Sequence, residues 1–317
     1  MNSIWFLVPL LGILPSGLSQ TENRTLLVVL GAEGNAEYGR QFSVWSKRWE
    51  EIAKNNAIAF RIIGATKVGS KPDRERLQSI LVELAASKPD EFWLVLIGHG
   101  TFDGRQARFN LRGPDFTPRE LSIWLKPIEC PTAIVTCSSS SAPFLQQLSA
   151  PNRAIVTATK SGYEQNFSRF GDYFSQAIGD TTTDLDKDGQ TSLLEAWLKA
   201  SRKTQQFYKS RGRLPTEHAL LDDNGDSLGT RSDWFRGVRV IQKTENGEAD
   251  GLKANQFHLV RSAAEKRLPP AQRKRRNELE LQITRLRKRK NEMDSEDYYK
   301  ELEPLLVKLA NLYQKTL

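Results

Sequence analysis

Three short stretches of apolar sequence, Leu26-Leu-Val-Val-Leu30, Phe92-Trp-Leu-Val-Leu-Ile97 and Thr132 to Thr136, constrain this chain more than any other feature. A strand with one wet face alternates apolar and polar residues. A run that is apolar at nearly every position must be covered on both sides, as in the middle of a parallel sheet. Between the runs lie stretches with helical periodicity. Phe42, Trp45, Trp49 and Ile52 recur three and four residues apart along one stripe, and Leu77, Ile80, Leu81 and Leu84 do the same over Arg74 to Ser87. Further strands are expected over Ile58 to Ile63 and Ala154 to Ala158. Thr117-Pro-Arg-Glu120 carries a capping box with proline at the first helical position, and Ala142 to Leu148 reads as a short helix. Repeated β-α units joined by right-handed crossovers predict an α/β fold, an open and mainly parallel sheet with helices on both faces.

The ends of the chain differ from this middle. Residues 1–19 hold an apolar run from Ile4 to Leu14 followed by Pro15-Ser-Gly-Leu-Ser19, the layout of a secretory signal peptide, although no Lys or Arg precedes the run. The run is shorter than the about 20 residues a spanning helix needs, so the expectation is a secreted or periplasmic protein without stable membrane insertion. Residues 20–260 are expected to form the main domain. Residues 261–317 read as a linker over 262–273 and a basic helical hairpin, with one stripe of Leu279, Ile283, Leu286 and Met293 and another of Tyr298, Leu302, Leu305, Leu309 and Leu312. That segment holds 15 Lys plus Arg against 9 Asp plus Glu, a net +6 of the chain's +8. Basicity is thus a property of the tail, and no nucleic-acid partner is expected of the domain.

The two cysteines, Cys130 and Cys137, bracket a strand. Seven residues at about 3.3 Å each hold them beyond disulfide reach, which leaves Cys137 free for other work. Cys130 reads as an inert, buried cysteine. Two strand ends carry reactive groups, Leu94-Val-Leu-Ile-Gly-His99-Gly100 and Ala133-Ile-Val-Thr-Cys137-Ser-Ser-Ser-Ser141. In an open parallel sheet, residues ending neighbouring strands face each other across one cleft. An imidazolium and a following helix N-terminus lower a thiol's pKa from about 8.5 towards neutrality. Gly100 lets the backbone pass close to a substrate, so its N–H and that of Cys137 can form an oxyanion hole. His218 and His258 end no core strand, and no His and Cys spacing suits zinc.

A strand ending in His-Gly, then about forty residues later a strand ending in Cys-Ser, resembles the clan that includes caspases, gingipains and legumain-type asparaginyl endopeptidases. The legumain type looks closest, through Thr136-Cys-Ser-Ser-Ser-Ser-Ala-Pro-Phe-Leu-Gln-Gln-Leu148 and the strand Ala154-Ile-Val-Thr-Ala-Thr159. The likeness covers roughly residues 25 to 178. It implies a caspase-like fold and a cysteine endopeptidase acting on peptide or protein substrates through a dyad of Cys137 and His99. It also implies a backbone oxyanion hole and a charged pocket for the residue preceding the cut. The chain departs from the legumain pattern at Val135, where an acidic residue is expected; Arg40 and Asp172 are the remaining candidates to flank that side chain. The competing expectation is an inactive peptidase-like scaffold that binds a partner in a calcium-dependent way.

Asp184-Leu-Asp186-Lys-Asp188-Gly189-Gln-Thr-Ser192-Leu-Leu-Glu195 satisfies the twelve-position EF-hand loop pattern. Side-chain oxygens of Asp184, Asp186 and Asp188, the Gln190 carbonyl, Ser192 through water and a bidentate Glu195 can surround one Ca²⁺, with Gly189 permitting the sharp turn. A structural calcium ion is the expectation, against an acidic turn that merely caps the next helix. A second acidic stretch, Asp222-Asp-Asn224-Gly-Asp226-Ser-Leu-Gly229, has Ser227 where the loop glycine belongs and reads as a turn.

Overall fold

The computed structural model describes residues 22–65, 71–243, 245 and 249–314, so the expected leader at 1–19 lies outside the described residues. The chain runs β1 (Arg24–Leu30), α1 (Ala36–Asn55), β2 (Ala59–Ile63), α2 (Asp73–Ser87), β3 (Glu91–Ile97), β4 (Gly100–Phe102), β5 (Ala107–Phe109), α3 (Pro118–Leu125) and β6 (Thr132–Cys137). It continues through α4 (Ala142–Leu148), β7 (Arg153–Thr157), α5 (Phe170–Ala177), α6 (Leu193–Ser210), β8 (Leu220–Asp222), β9 (Thr230–Arg231), β10 (Phe235–Arg236) and β11 (Arg239–Val240). Three helices close it: α7 (Ala263–Arg267), α8 (Pro270–Lys288) and α9 (Ser295–Gln314).

One sheet in the order β2-β1-β3-β6-β7-β8-β9 organises the domain. Its first five strands are parallel, and β8 and β9 extend it antiparallel. This is the expected α/β architecture, an open and mainly parallel sheet covered on both faces. The core is two clusters that follow strand parity. Leu26, Val28, Trp93, Val95, Ala133, Val135 and Val156 point towards α1, α5 and α6. Leu27, Val29, Phe92, Leu94, Ile134 and Ile155 point towards α2, α3 and α4. Trp49 and Trp197, both fully buried, fill the first layer; truncating either to alanine removes enough packing to cost about 3–5 kcal/mol.

Local sequence sets the helix boundaries. Asn35 caps α1 by accepting from Tyr38 N–H, and Thr117 with Glu120 forms the full capping box of α3. The hairpin β4–β5 and the short strands β8 and β9 carry no signal in the sequence, because two or three residues show no periodicity.

The C-terminal hairpin forms as expected, with Ile283, Leu286, Tyr298 and Leu302 in the seam of α8 and α9. The stretch read as a linker, 262–273, is instead ordered by charge. Ser262 caps α7, and Glu265 accepts from both Arg276 Nη1 (2.5 Å) and Nη2 (2.8 Å). Arg273 and Arg261 pair with Glu22, and Arg261 also reaches Glu91 at 3.0 Å. Arg24, at the start of β1, donates to Glu91 and to the carbonyls of His258 and Leu259. This largely buried network binds the hairpin's base to the amino ends of the strands. Among the described residues, no helix is long and apolar enough to cross a membrane.

Candidate active site

Strand β3 ends at Ile97, whose neighbour across the ladder is Cys137, the last residue of β6. Parity puts the Ile97 and Cys137 side chains in the layer beneath α1 and α5. His99, two residues beyond Ile97, turns to the same side. Its ring packs against Tyr38 (centroids 4.9 Å apart), Phe42 (5.3 Å) and Phe167 (6.0 Å). His99 Nε2 lies 3.2 Å from the Glu33 carbonyl. In the tautomer that donates there, Nδ1 keeps its lone pair for proton transfer. The structure thus sets the imidazole and the thiol over one face, at the carboxyl ends of adjacent strands.

Cys137 departs from expectation in its surroundings. The residue is only 1 % exposed. A Cβ added at Gly171 would come 2.7 Å from Cys137 Cβ and 2.8 Å from the Trp45 ring, so α5 and α1 close directly over the strand end. No hydrogen bond joins the thiol to His99 among the described residues. Burial pushes the thiol's pKa strongly up, and the charge of Glu217 adds to this. The expected lowering towards neutrality is therefore corrected: in this closed arrangement desolvation outweighs any stabilisation of the thiolate.

Gly100 is buried, and its N–H is already engaged, donating to Ser139 Oγ at 3.1 Å, while the same hydroxyl donates to Gly100 O at 2.9 Å. A Cβ at Gly100 would lie 2.1 Å from the Ser139 carbonyl, which is why the position takes glycine. The turn after Cys137 is tight. Ser140 has φ +53° and donates its N–H to Glu164 O at 2.9 Å, and Ser141 is tied to Thr159 through its N–H and hydroxyl. The hydroxyls of Thr136, Ser138 and Ser140 are buried here without a hydrogen-bond partner.

The two residues proposed to flank a substrate side chain are not brought together. Arg40 is exposed on α1. Asp172, in the first turn of α5, accepts from Arg48 Nη1 at 2.6 Å. Arg48 lies eight residues, about 12 Å of helix, beyond Arg40. Asp172 therefore serves as a strut between α1 and α5.

Glu217 carried no signal in the sequence. It is buried and accepts from Ser168 Oγ (2.7 Å), from the N–H groups of Arg169 and Phe170, and from Tyr208 Oη (3.1 Å). Burial raises its pKa, and these donors offset part of that rise. It fixes the segment leading into α5, and with it Phe167, against the cluster of His99, Phe42 and Trp45. His218 pairs with Glu164 at 2.5 Å, beside the turn that follows Cys137, and His258 lies 3.6 Å from Asp188 in the acidic loop.

The loop Asp184–Glu195 lies at the other end of the sheet. Asp184, Asp186 and Asp188 each offer a carboxylate oxygen within 4.8 Å of the others. Glu195 is buried, and both of its carboxylate oxygens accept from protein donors, as the helix-capping alternative describes. Its Oε2 completes a capping box with Ser192, and its Oε1 accepts from Leu185 N–H at 2.5 Å. A set made only of oxygen donors fits a hard cation such as Ca²⁺.

No known family profile matches the chain, and no curated protein sequence matches it significantly. Among solved structures, it is similar to the initiator caspase Dronc of Drosophila, at 14 % identity and a TM-score of 0.44, over 68 % of this chain and 86 % of that one. It is also similar to caspase-1 of Spodoptera frugiperda, at 11 % identity and a TM-score of 0.41, over 64 % of this chain and 87 % of that one.

Proposed function

We propose that this chain is a caspase-like cysteine endopeptidase held in a closed state. One observation carries the reading: the β3–β6 register pairs Ile97 with Cys137, which supports a thiol acting beside His99 two residues further along the chain. In the reaction, His99 Nδ1 accepts the thiol proton, and the Cys137 sulfur attacks the peptide carbonyl. Gly100 N–H, released from Ser139, supports the developing oxyanion. The protonated imidazole then gives its proton to the departing amine, and water hydrolyses the thioester. Access requires α5 at Gly171 and the Trp45 ring of α1 to separate, since these close over Cys137.

Cys137→Ala and His99→Ala should each abolish cleavage of a peptide library while leaving the melting curve intact; undiminished turnover in Cys137→Ala would overturn the proposal. A second reading, a scaffold that binds a partner without chemistry, is favoured by the desolvated thiol and the engaged Gly100 amide. It predicts no cleavage by the parent protein under any condition. A structural Ca²⁺ held by Asp184, Asp186, Asp188, the Gln190 carbonyl, Ser192 through water, and Glu195 belongs to the same proposal. So does export through residues 1–19, which amino-terminal sequencing of the mature protein tests.

A further inference from the structure

The acidic stretch 222–229 folds like the loop that begins at Asp184. In the first loop the fourth and sixth residues, Lys187 and Gly189, have φ +65° and +84°; in the second the same positions, Gly225 and Ser227, have φ +88° and +66°. Ser227 thus adopts the conformation of the glycine whose place it takes, which removes the reason for reading this stretch as an ordinary turn. The inward hydrogen bonds also correspond. Lys187 N–H and Gly225 N–H reach Oδ1 of Asp184 and Asp222, at 2.6 and 3.1 Å. Asp188 N–H and Asp226 N–H reach Oδ1 of Asp186 and Asn224, at 3.3 and 2.7 Å. Gln190 N–H and Leu228 N–H reach Oδ1 of Asp188 and Asp226, at 2.9 and 2.7 Å.

Loop geometry alone would describe a turn; a separate feature points to a ligand. Asp222 is 1 % exposed, its carboxyl faces the loop through the Gly225 bond, and its Oδ2 is buried with no hydrogen-bond partner. The nearby Ser149 hydroxyl accepts Ser227 N–H at 3.0 Å and closes no hydrogen bond to Oδ2. A buried carboxylate oxygen left without a donor is costly unless a cation meets it.

We infer that residues 222–228 form a second divalent-cation site, suited to Ca²⁺, with Asp222 Oδ2, Asn224 Oδ1, an Asp226 carboxylate oxygen and the Leu228 carbonyl as its protein ligands. The twelfth position of this loop is Asp233, which is ion-paired with Arg231 at 2.6 Å, so water completes the coordination where Glu195 closes the first loop. One segment links the two loops. Asp250 accepts from Asp223 N–H at 2.9 Å, Asp223 accepts from Gly251 and Ala254, and Asn255 reaches Asp186 at 3.0 Å. The inference is independent of the peptidase reading, because β8 carries this loop to the end of the sheet opposite His99.

The test is Ca²⁺ titration of the full chain, stripped with a chelator and followed by isothermal calorimetry, with folding checked by circular dichroism. Asp226→Asn, at a half-buried position that leaves the core untouched, should bind one equivalent fewer than the parent. Asn224→Asp adds a charged ligand and should tighten the same equivalent. Equal stoichiometry in the parent and Asp226→Asn, or an unchanged titration in Asn224→Asp, overturns the site.

Discussion

A single hydroxyl, Ser139 Oγ, holds both backbone polar groups of Gly100, accepting from its N–H at 3.1 Å and donating to its carbonyl at 2.9 Å. The amide proposed to support an oxyanion is thus withheld by the turn that follows Cys137.

Ser139→Ala should separate stability from activity. Leaving Gly100's buried polar groups without this partner should cost about 1–3 kcal/mol, read as a lower melting temperature. Peptide cleavage per folded molecule should rise, because the amide is released. A fall in both would assign Ser139 to the catalytic arrangement itself.

Thiol reactivity should follow burial. Native protein treated with iodoacetamide at mildly alkaline pH should be modified at Cys130, which is half-buried, and spared at Cys137, whose thiol burial holds in the protonated form. Trp45→Ala, which removes the ring packed where α5 meets Cys137, should expose Cys137 and raise its labelling rate, seen by mass spectrometry of the two cysteine peptides. Rapid labelling of Cys137 in the unmodified protein would show that the closed arrangement does not persist in solution.

Asp250 should give stability an unusual pH dependence. Burial, and then the charge of Asp223, push its carboxyl up to about 9. Its unfolded value is about 3.9, so the stability it contributes is complete below that pH and is lost as pH rises through about 9, by at most about 1.4 kcal/mol per unit. Asp250→Asn keeps an acceptor for Asp223 N–H and removes the ionisation. In chelator, its melting temperature should fall less steeply than the parent's between pH 5 and 9, and parallel curves would refute this.

Glu265→Ala should loosen the hairpin. It removes the bidentate partner of the largely buried Arg276, while Arg273 keeps its pair with Glu22, and removing one partner of a buried pair costs about 3–5 kcal/mol. Faster amide hydrogen exchange in α8, with β1 and β3 unaffected, is the expected signature.

The parallel centre of the sheet was legible because β1, β3 and β6 are apolar at nearly every position, a pattern with few other solutions. His99 and Cys137 were legible as strand-end residues for the same reason. What could not be read was how closely α1 and α5 shut over Cys137. Strand parity already allies Cys137 with Ala133 and Val135, but the closure depends on Gly171 and Trp45, which are distant in sequence and meet only in the fold. Glu217 lies in an irregular stretch with no periodicity, so nothing marked it as the anchor of the segment over the cleft. The backbone path of the loop after β8 was not legible, since serine rarely adopts positive φ and Ser227 does.

Because β8 runs antiparallel to β7, with Leu220 beside Thr157 and Asp222 beside Ile155, the chain delivers its second acidic loop to the far side of the molecule from the strand-end cysteine. Chelator added to an activity assay would therefore act on the architecture and not on bond-breaking. Any inactivation should develop at the pace of unfolding, be indifferent to substrate concentration, and shrink as the assay is cooled.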